Sequence, residues 1–238
     1  MIAVTVVTPS YKHLEKEAVK RFKKHSGLPV QVIRVKDTEG FTAKLELDRY
    51  CGKQRVVFFD VDFWLLRPVK FDAWDAPHWY ATHDSAVFNP HAFPSTDCGL
   101  YKLDKLRYFN SGFFICDLRN PMHRKVFQRA RQIHAKVQRK KFPKPVDVTD
   151  QFYLNYAVQE LGVGLNLVPL KFNYYHKASV WGQVPYIPRD IIGLHAAGYK
   201  REDKLQALQV QEQVFKQDNL IVCAEAYQFE TARIFDMR

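Results

Sequence analysis

Residues 56–64, Val-Val-Phe-Phe-Asp-Val-Asp-Phe-Trp, constrain the fold of this chain more than any other stretch. β-Branched and then aromatic residues in an unbroken run suit a strand buried on both faces, the environment of a central strand in a parallel sheet. The run closes on Asp60 and Asp62, and a buried carboxylate is costly unless it is paired or bound to a cation. Open α/β sheets bind ligands at the carboxyl ends of their strands, so two acids at such an end suggest a divalent-metal site. A solvated turn is the competing reading, because Asp-x-Asp is common in loops.

The flanking sequence extends the pattern. A strand is expected over residues 2–8, then a helix over 12–25 with Leu14, Ala18 and Phe22 on one face, stopped by Gly27. A second strand over 29–35 and a helix over 42–50 lead into the Asp-x-Asp strand. Strand–helix–strand–helix–strand over the first 63 residues is the pattern of a nucleotide-binding sheet. Further on, 79–84 reads as a strand ending in Asp84, and 85–107 as a long aromatic loop punctuated by Pro90, Pro94 and Gly99. Residues 109–118 read as a strand opening with Asn110-Ser111-Gly112. A helix from Pro121 is expected to bury Met122, Val126, Ala130, Ile133 and Val137, and another over 150–161 to start after Thr149. Short strands near 166–170 and 191–194 precede a helical region from Lys204. The expected fold class is α/β, a single domain with a mostly parallel sheet flanked by helices. Its parts are a nucleotide-binding half over 1–63, a second half over 64–202, and a helical segment over 203–238.

Composition narrows the function classes. With 47% apolar and 14% aromatic residues in 238, the chain is globular, and no apolar run is long enough to span a membrane. Without a basic leader, and with Cys51, Cys98, Cys116 and Cys223 showing no Cys-x-x-Cys pairing, a cytoplasmic protein is expected (host cytoplasm if the source is viral). The net charge of +11 predicts attraction to polyanions. It concentrates between Asp117 and Asp147, where no acid interrupts a basic run that includes Arg119, Arg124, Lys125, Arg129, Arg131, Lys136, Arg139, Lys140, Lys141 and Lys144.

Several motifs recur together in one order: Val7-Thr8-Pro9, a helical Lys44, Phe59-Asp60-Val61-Asp62, residues 81–84, Phe109-Asn110-Ser111-Gly112, Asp150-Gln151 with Asn155, residues 170–173, and His195-Ala196-Ala197-Gly198-Tyr199-Lys200. In this combination the chain resembles the family 8 glycosyltransferases of GT-A (Rossmann-like) fold, which include lipopolysaccharide galactosyltransferases and glycogenin. The resemblance covers roughly residues 2–202. It implies a UDP-sugar donor and Mn2+ (or Mg2+) held by Asp60, Asp62 and His195, a mixed oxygen and imidazole set that suits those ions. It implies donor contacts from Thr8, Pro9, Lys44, Val61, Asn110, Ser111, Gly112, Gly198 and Lys200. Asp84, Asp150 and Gln151, with Asn110, are the catalytic candidates, and transfer is expected to retain anomeric configuration. Read alone, His195 is an ordinary core or surface histidine, Lys44 a solvated lysine, Asn-Ser-Gly a turn, and Asp150 a helix-start acid.

The chain departs from the family after Lys200, where Arg201-Glu202 stands in place of Pro-Trp, and in its short tail with Glu225, Glu230 and Asp236. Three acceptor classes follow from the basic run. Arg124, Lys125, Arg131, Arg139, Lys140 and Lys141 could track a DNA backbone, with a hydroxymethylated pyrimidine as acceptor as in phage DNA-modifying enzymes. They could instead sit on anionic lipid as a peripheral contact, beside a lipopolysaccharide or capsule glycan. They could also be a solvated face on an enzyme acting on a soluble glycan or protein. DNA is the leading expectation, and a non-catalytic nucleotide-sugar or DNA-binding protein is the other class. Neither the sugar nor the oligomeric state is legible.

Overall fold

In the computed structural model, which describes residues 1–74, 77–145, 149–175 and 190–216, β1 (Ile2–Val7) lies between β2 (Val30–Arg34) and β3 (Arg55–Phe59), parallel to both. β3 pairs antiparallel with β6 (Phe109–Asp117), β6 antiparallel with β5 (Trp79–His83), and β5 parallel with β7 (Leu165–Val168). The resulting six-stranded sheet has the order β2-β1-β3-β6-β5-β7. It is the expected mixed, mostly parallel sheet, flanked by helices within one domain.

The period of two along β3 explains why helices cover both faces. Val56 and Phe58 point into a core shared with α5 (Pro121–Gln138) and α6 (Asp150–Glu160). Val57 and Phe59 point the other way, into a core built with Leu14, Ala18 and Phe22 of α1 (Lys12–Ser26). There the Phe22 and Phe59 rings stack with centroids 4.0 Å apart. Truncating a fully buried ring such as Phe22 to Ala removes about 3–5 kcal/mol. Gly27 ends α1 in the left-handed region, at φ 69°.

A second, two-stranded sheet pairs β4 (Phe63–Leu65) antiparallel with β8 (Gly193–His195), placing Phe63 opposite His195. This pairing ties the end of the Asp-x-Asp segment to the histidine far downstream.

Three local expectations differ from the structure. The helix expected over 42–50 is two short ones, α2 (Gly40–Lys44) and α3 (Leu47–Tyr50). Leu45 and Leu47 are both buried, and residues two apart cannot share a face of one helix. The chain therefore tightens between them, with Leu45 N donating to Thr42 O and Glu46 N to Ala43 O, both at 3.0 Å. The segment 85–107 is no open loop: it contains α4 (Phe93–Tyr101), where Pro94 stands in the first turn and breaks nothing. In α5, Met122 is 38% exposed, while His123 and Phe127 are buried in its place. His123 Nδ1 accepts from Asp117 N at 2.9 Å, which sets the phase of the first turn.

The chain continues from Arg201 into α7 (Lys204–Lys216). Cys51, Cys98 and Cys116 are free and buried, and burial pushes the thiols of Cys51 and Cys98 up to about 12. Cys223, Glu225, Glu230, Asp236 and the rest of the expected C-terminal helical segment lie outside the described residues.

Candidate functional site

The carboxyl ends of β1 and β3 open on a cavity of about 400 Å³. Past β3, Asp60 N donates to Gly112 O at 2.8 Å, extending the ladder with β6 by one residue. The chain then turns, Phe63 N donating to Asp60 O at 2.9 Å, and enters β4. Because β4 pairs with β8, His195 comes to lie over both acids. Its Nε2 is 3.4 Å from Asp62 Oδ1 and 3.7 Å from Asp60 Oδ2. One ligand atom from each of the three residues lies within 4.8 Å of the others. Two carboxylates and an imidazole nitrogen directed at one another form a donor set that fits Mn2+ or Mg2+. His195 Nδ1 is buried, has no hydrogen-bond partner among the described residues and faces Gly112, so the ring is oriented by packing.

Lysines hold the remaining carboxylate oxygens. The buried Lys44 Nζ lies 2.9 Å from Asp60 Oδ1 and 2.9 Å from Asp150 Oδ2. Burial alone would depress this lysine, but Asp150 and Asp60 outweigh it and hold its pKa above the ordinary lysine value. Lys204 Nζ donates to Asp62 Oδ2 and, at 2.8 Å, to Ala196 O. Burial pushes the Asp62 carboxyl up, yet His195 and Lys204 together hold it far below the usual carboxylate range. Asp60 moves the opposite way: loss of surrounding water raises it, and Lys44 only partly offsets that.

A polar network extends from Lys44 across the cavity floor. Ser111 Oγ donates to Asp150 Oδ2 at 2.7 Å, and Ser111 N to Gln151 Oε1 at 3.1 Å. Gln151 Nε2 donates to Asp84 Oδ2 at 2.7 Å, and Tyr175 OH and Ala86 N donate to Asp84 Oδ1 at 2.6 and 3.0 Å. Asn110 Oδ1 accepts from Gly112 N and from Asn173 Nδ2, both at 3.0 Å. Asn155 lies behind this layer and brackets the backbone of Phe109, accepting from its N and donating to its O, each at 2.8 Å.

Of the residues singled out in the sequence, Thr8, Lys44, Asp60, Val61, Asp62, Asn110, Ser111, Gly112, Asp150, Gln151 and His195 line this one cavity. Asp84 and Gly198 line an adjoining pocket of about 390 Å³ that shares Asn110 and Gln151 with it. Pro9 and Lys200 line neither of the two. The cations that reach the cavity from the segment after His195 are Arg201 and Lys204, which sequence reasoning passed over. Lys204 was masked by its place at a helix start, where a lysine reads as solvated. Asn173, which holds Asn110, closes the motif at residues 170–173 but was given no role, and Tyr175, which holds Asp84, carried no motif of its own.

The basic run is used unevenly. Arg131 grips Asp48 through both amino groups, at 2.5 and 3.0 Å, and also donates to Leu45 O at 2.7 Å. Arg129 pairs with Glu160, Arg119 with Asp117, and Arg124 donates to Leu118 O. Arg131 and Arg124 are thus engaged within the fold, while Lys125, Arg139, Lys140 and Lys141 are exposed. No described helix is long and apolar enough to cross a membrane.

No protein-family model and no curated protein sequence matches the chain. Solved structures do. The galactosyltransferase LgtC, in complex with donor and acceptor sugar analogs, matches at 16% identity and TM-score 0.60 over 87% of this chain and 94% of that one. The bifunctional glycosyltransferase WbbM matches at 13% identity and TM-score 0.62, over 92% of this chain and 52% of that one. Mouse xyloside xylosyltransferase 1 matches at 11% identity and TM-score 0.56, over 83% and 97%. At such identities the likeness shows the fold alone, the GT-A arrangement of these glycosyltransferases.

Proposed function

We propose that this protein is a metal-dependent glycosyltransferase that moves a sugar from a UDP-sugar to an acceptor hydroxyl with retention of configuration. The observation that carries the reading is the convergence of Asp60, Asp62 and His195 on one cavity with Lys44, Asp150 and Gln151, in a GT-A fold. Asp60, Asp62 and His195 would hold Mn2+ or Mg2+, which when bound offsets negative charge on the departing diphosphate. Thr8, Pro9 and Val61 form the nucleotide end. Gly198, at φ 80°, lets backbone approach a phosphate closely, and Arg201, which lines the cavity where the expected Lys200 does not, supplies charge beside it. Asn110, Ser111 and Gly112 seat the donor sugar. Lys44 fixes Asp150 beside Asp60, and Asp84, Asp150 and Gln151 bind sugar hydroxyls and face the reacting carbon. The sugar–phosphate bond breaks as the acceptor oxygen bonds to the same carbon, and the leaving phosphate takes the acceptor's proton. No residue is assigned as a covalent nucleophile.

Two acceptors have separate support. A hydroxymethylated pyrimidine in DNA is supported by the exposed Lys125, Arg139, Lys140 and Lys141. A glycan hydroxyl is supported by the likeness to an enzyme bound to an acceptor sugar analog, and by the pocket next to the main cavity, whose mostly apolar wall carries Asp84, Asn110 and Gln151 as polar groups.

The test is UDP release from a panel of UDP-sugars with Mn2+, then with EDTA, in the presence of hydroxymethylcytosine-containing DNA or of glycans. Release that EDTA and Asp62→Ala both abolish is the expected result, and the stimulating acceptor identifies the substrate. Absence of release with every donor and acceptor would overturn the reading.

A further inference from the structure

Lys204 is buried, with 7% of its surface exposed, in a setting where lysine is rare unless paired. It lines the same cavity as the Asp-x-Asp pair. Each acid of that pair divides its two oxygens between different partners. Asp60 gives Oδ1 to Lys44 and turns Oδ2 toward His195, while Asp62 gives Oδ2 to Lys204 and turns Oδ1 toward His195. The oxygens beside the imidazole are therefore not those the lysines hold, and a cation can reach the former without displacing either ammonium.

Charge gives this arrangement a consequence. Asp60, Asp62 and Asp150 face Lys44 and Lys204, a balance of minus one, which would be minus two without Lys204. A like charge this close repels a divalent cation in a medium of low dielectric. An ammonium has three donors, and two of those on Lys204 go to Asp62 and Ala196 O, leaving one for a ligand.

We propose that Lys204 is a resident counter-cation that keeps the divalent site weak until a nucleoside diphosphate arrives, and then donates a hydrogen bond from its remaining N–H to a phosphate oxygen. The inference rests on the nucleotide-sugar reading above. It makes ion and nucleotide bind as a coupled pair, each raising the other's affinity by the same factor.

The test is a Mn2+ titration followed by electron paramagnetic resonance, and UDP calorimetry, on wild type, Lys204→Gln and Lys204→Met, with thermal melts to establish which variants are folded. In a folded variant, Mn2+ alone is expected to bind about ten-fold tighter than to wild type, and UDP with Mn2+ about ten-fold weaker. Unchanged affinities in a folded variant, with UDP still binding wild type, overturn the role of Lys204 and leave the nucleotide-sugar reading standing. Failure of UDP to bind wild type overturns both.

Discussion

A β-carbon at Gly112 would lie 2.1 Å from His195 Cε1 and 2.7 Å from Nδ1, so β6 presents bare backbone to the imidazole that faces the two acids. The glycine is there for space, and the histidine is held by that contact in the absence of a partner on Nδ1 among the described residues. Gly112→Ala is expected to push His195 off the carboxylates, cost about 1–3 kcal/mol of stability and weaken Mn2+ binding at least about ten-fold. Wild-type Mn2+ affinity in the variant would refute the packing argument.

Lys44 is the tie between β3 and α6. Lys44→Met leaves Asp60 and Asp150 without their shared cation and is expected to cost about 3 kcal/mol in urea unfolding, toward the low end for a broken buried pair because Asp60 is 30% exposed. A lysine whose folded pKa is raised stabilises fully below its unfolded value and loses that only as pH rises through the folded one. Unfolding curves of wild type should therefore show no loss from this group below about pH 10.4.

Tyr175 donates to Asp84, which Gln151 also holds, and its ring lies edge-on to His195 with centroids 6.4 Å apart, a contact that phenylalanine keeps. Tyr175→Phe should lower kcat about ten-fold while moving the donor KM little, because it removes positioning and leaves donor contacts in place. An unchanged kcat would remove Asp84 from the reacting end of the site.

The basic helix separates into structural and free cations. Arg131→Ala, which strands a buried Asp48, should cost about 2 kcal/mol, whereas Lys125→Glu with Lys141→Glu should stay within about 0.5 kcal/mol. The double variant is therefore the proper probe of a polyanionic acceptor. Salt-dependent DNA modification that survives it would count against DNA contact through this face.

Much of the fold was legible because it rests on local rules. The two-sided run at 56–59 required a central strand, the spacing of Leu14, Ala18 and Phe22 required a helix against it, and Asp60 and Asp62 stood out as acids where apolar residues belong. Their convergence with His195 was visible only through resemblance. The structure accounts for it by the β4–β8 pairing, a contact between distant segments that no periodicity encodes.

What tertiary structure alone decided is which charges have partners. In sequence, the resemblance singles out Lys200 and leaves Lys204 as a helix-start lysine, and Arg131 is one of many basic residues between two acids. In the fold, Lys204 is buried on Asp62 while Lys200 lines neither pocket, and Arg131 is bound to Asp48 from another helix. Hydrophobic burial acts through spacing along the chain and can be read from it. An ion pair depends on two side chains meeting within a few ångströms, and that distance exists only after the strands and helices have packed.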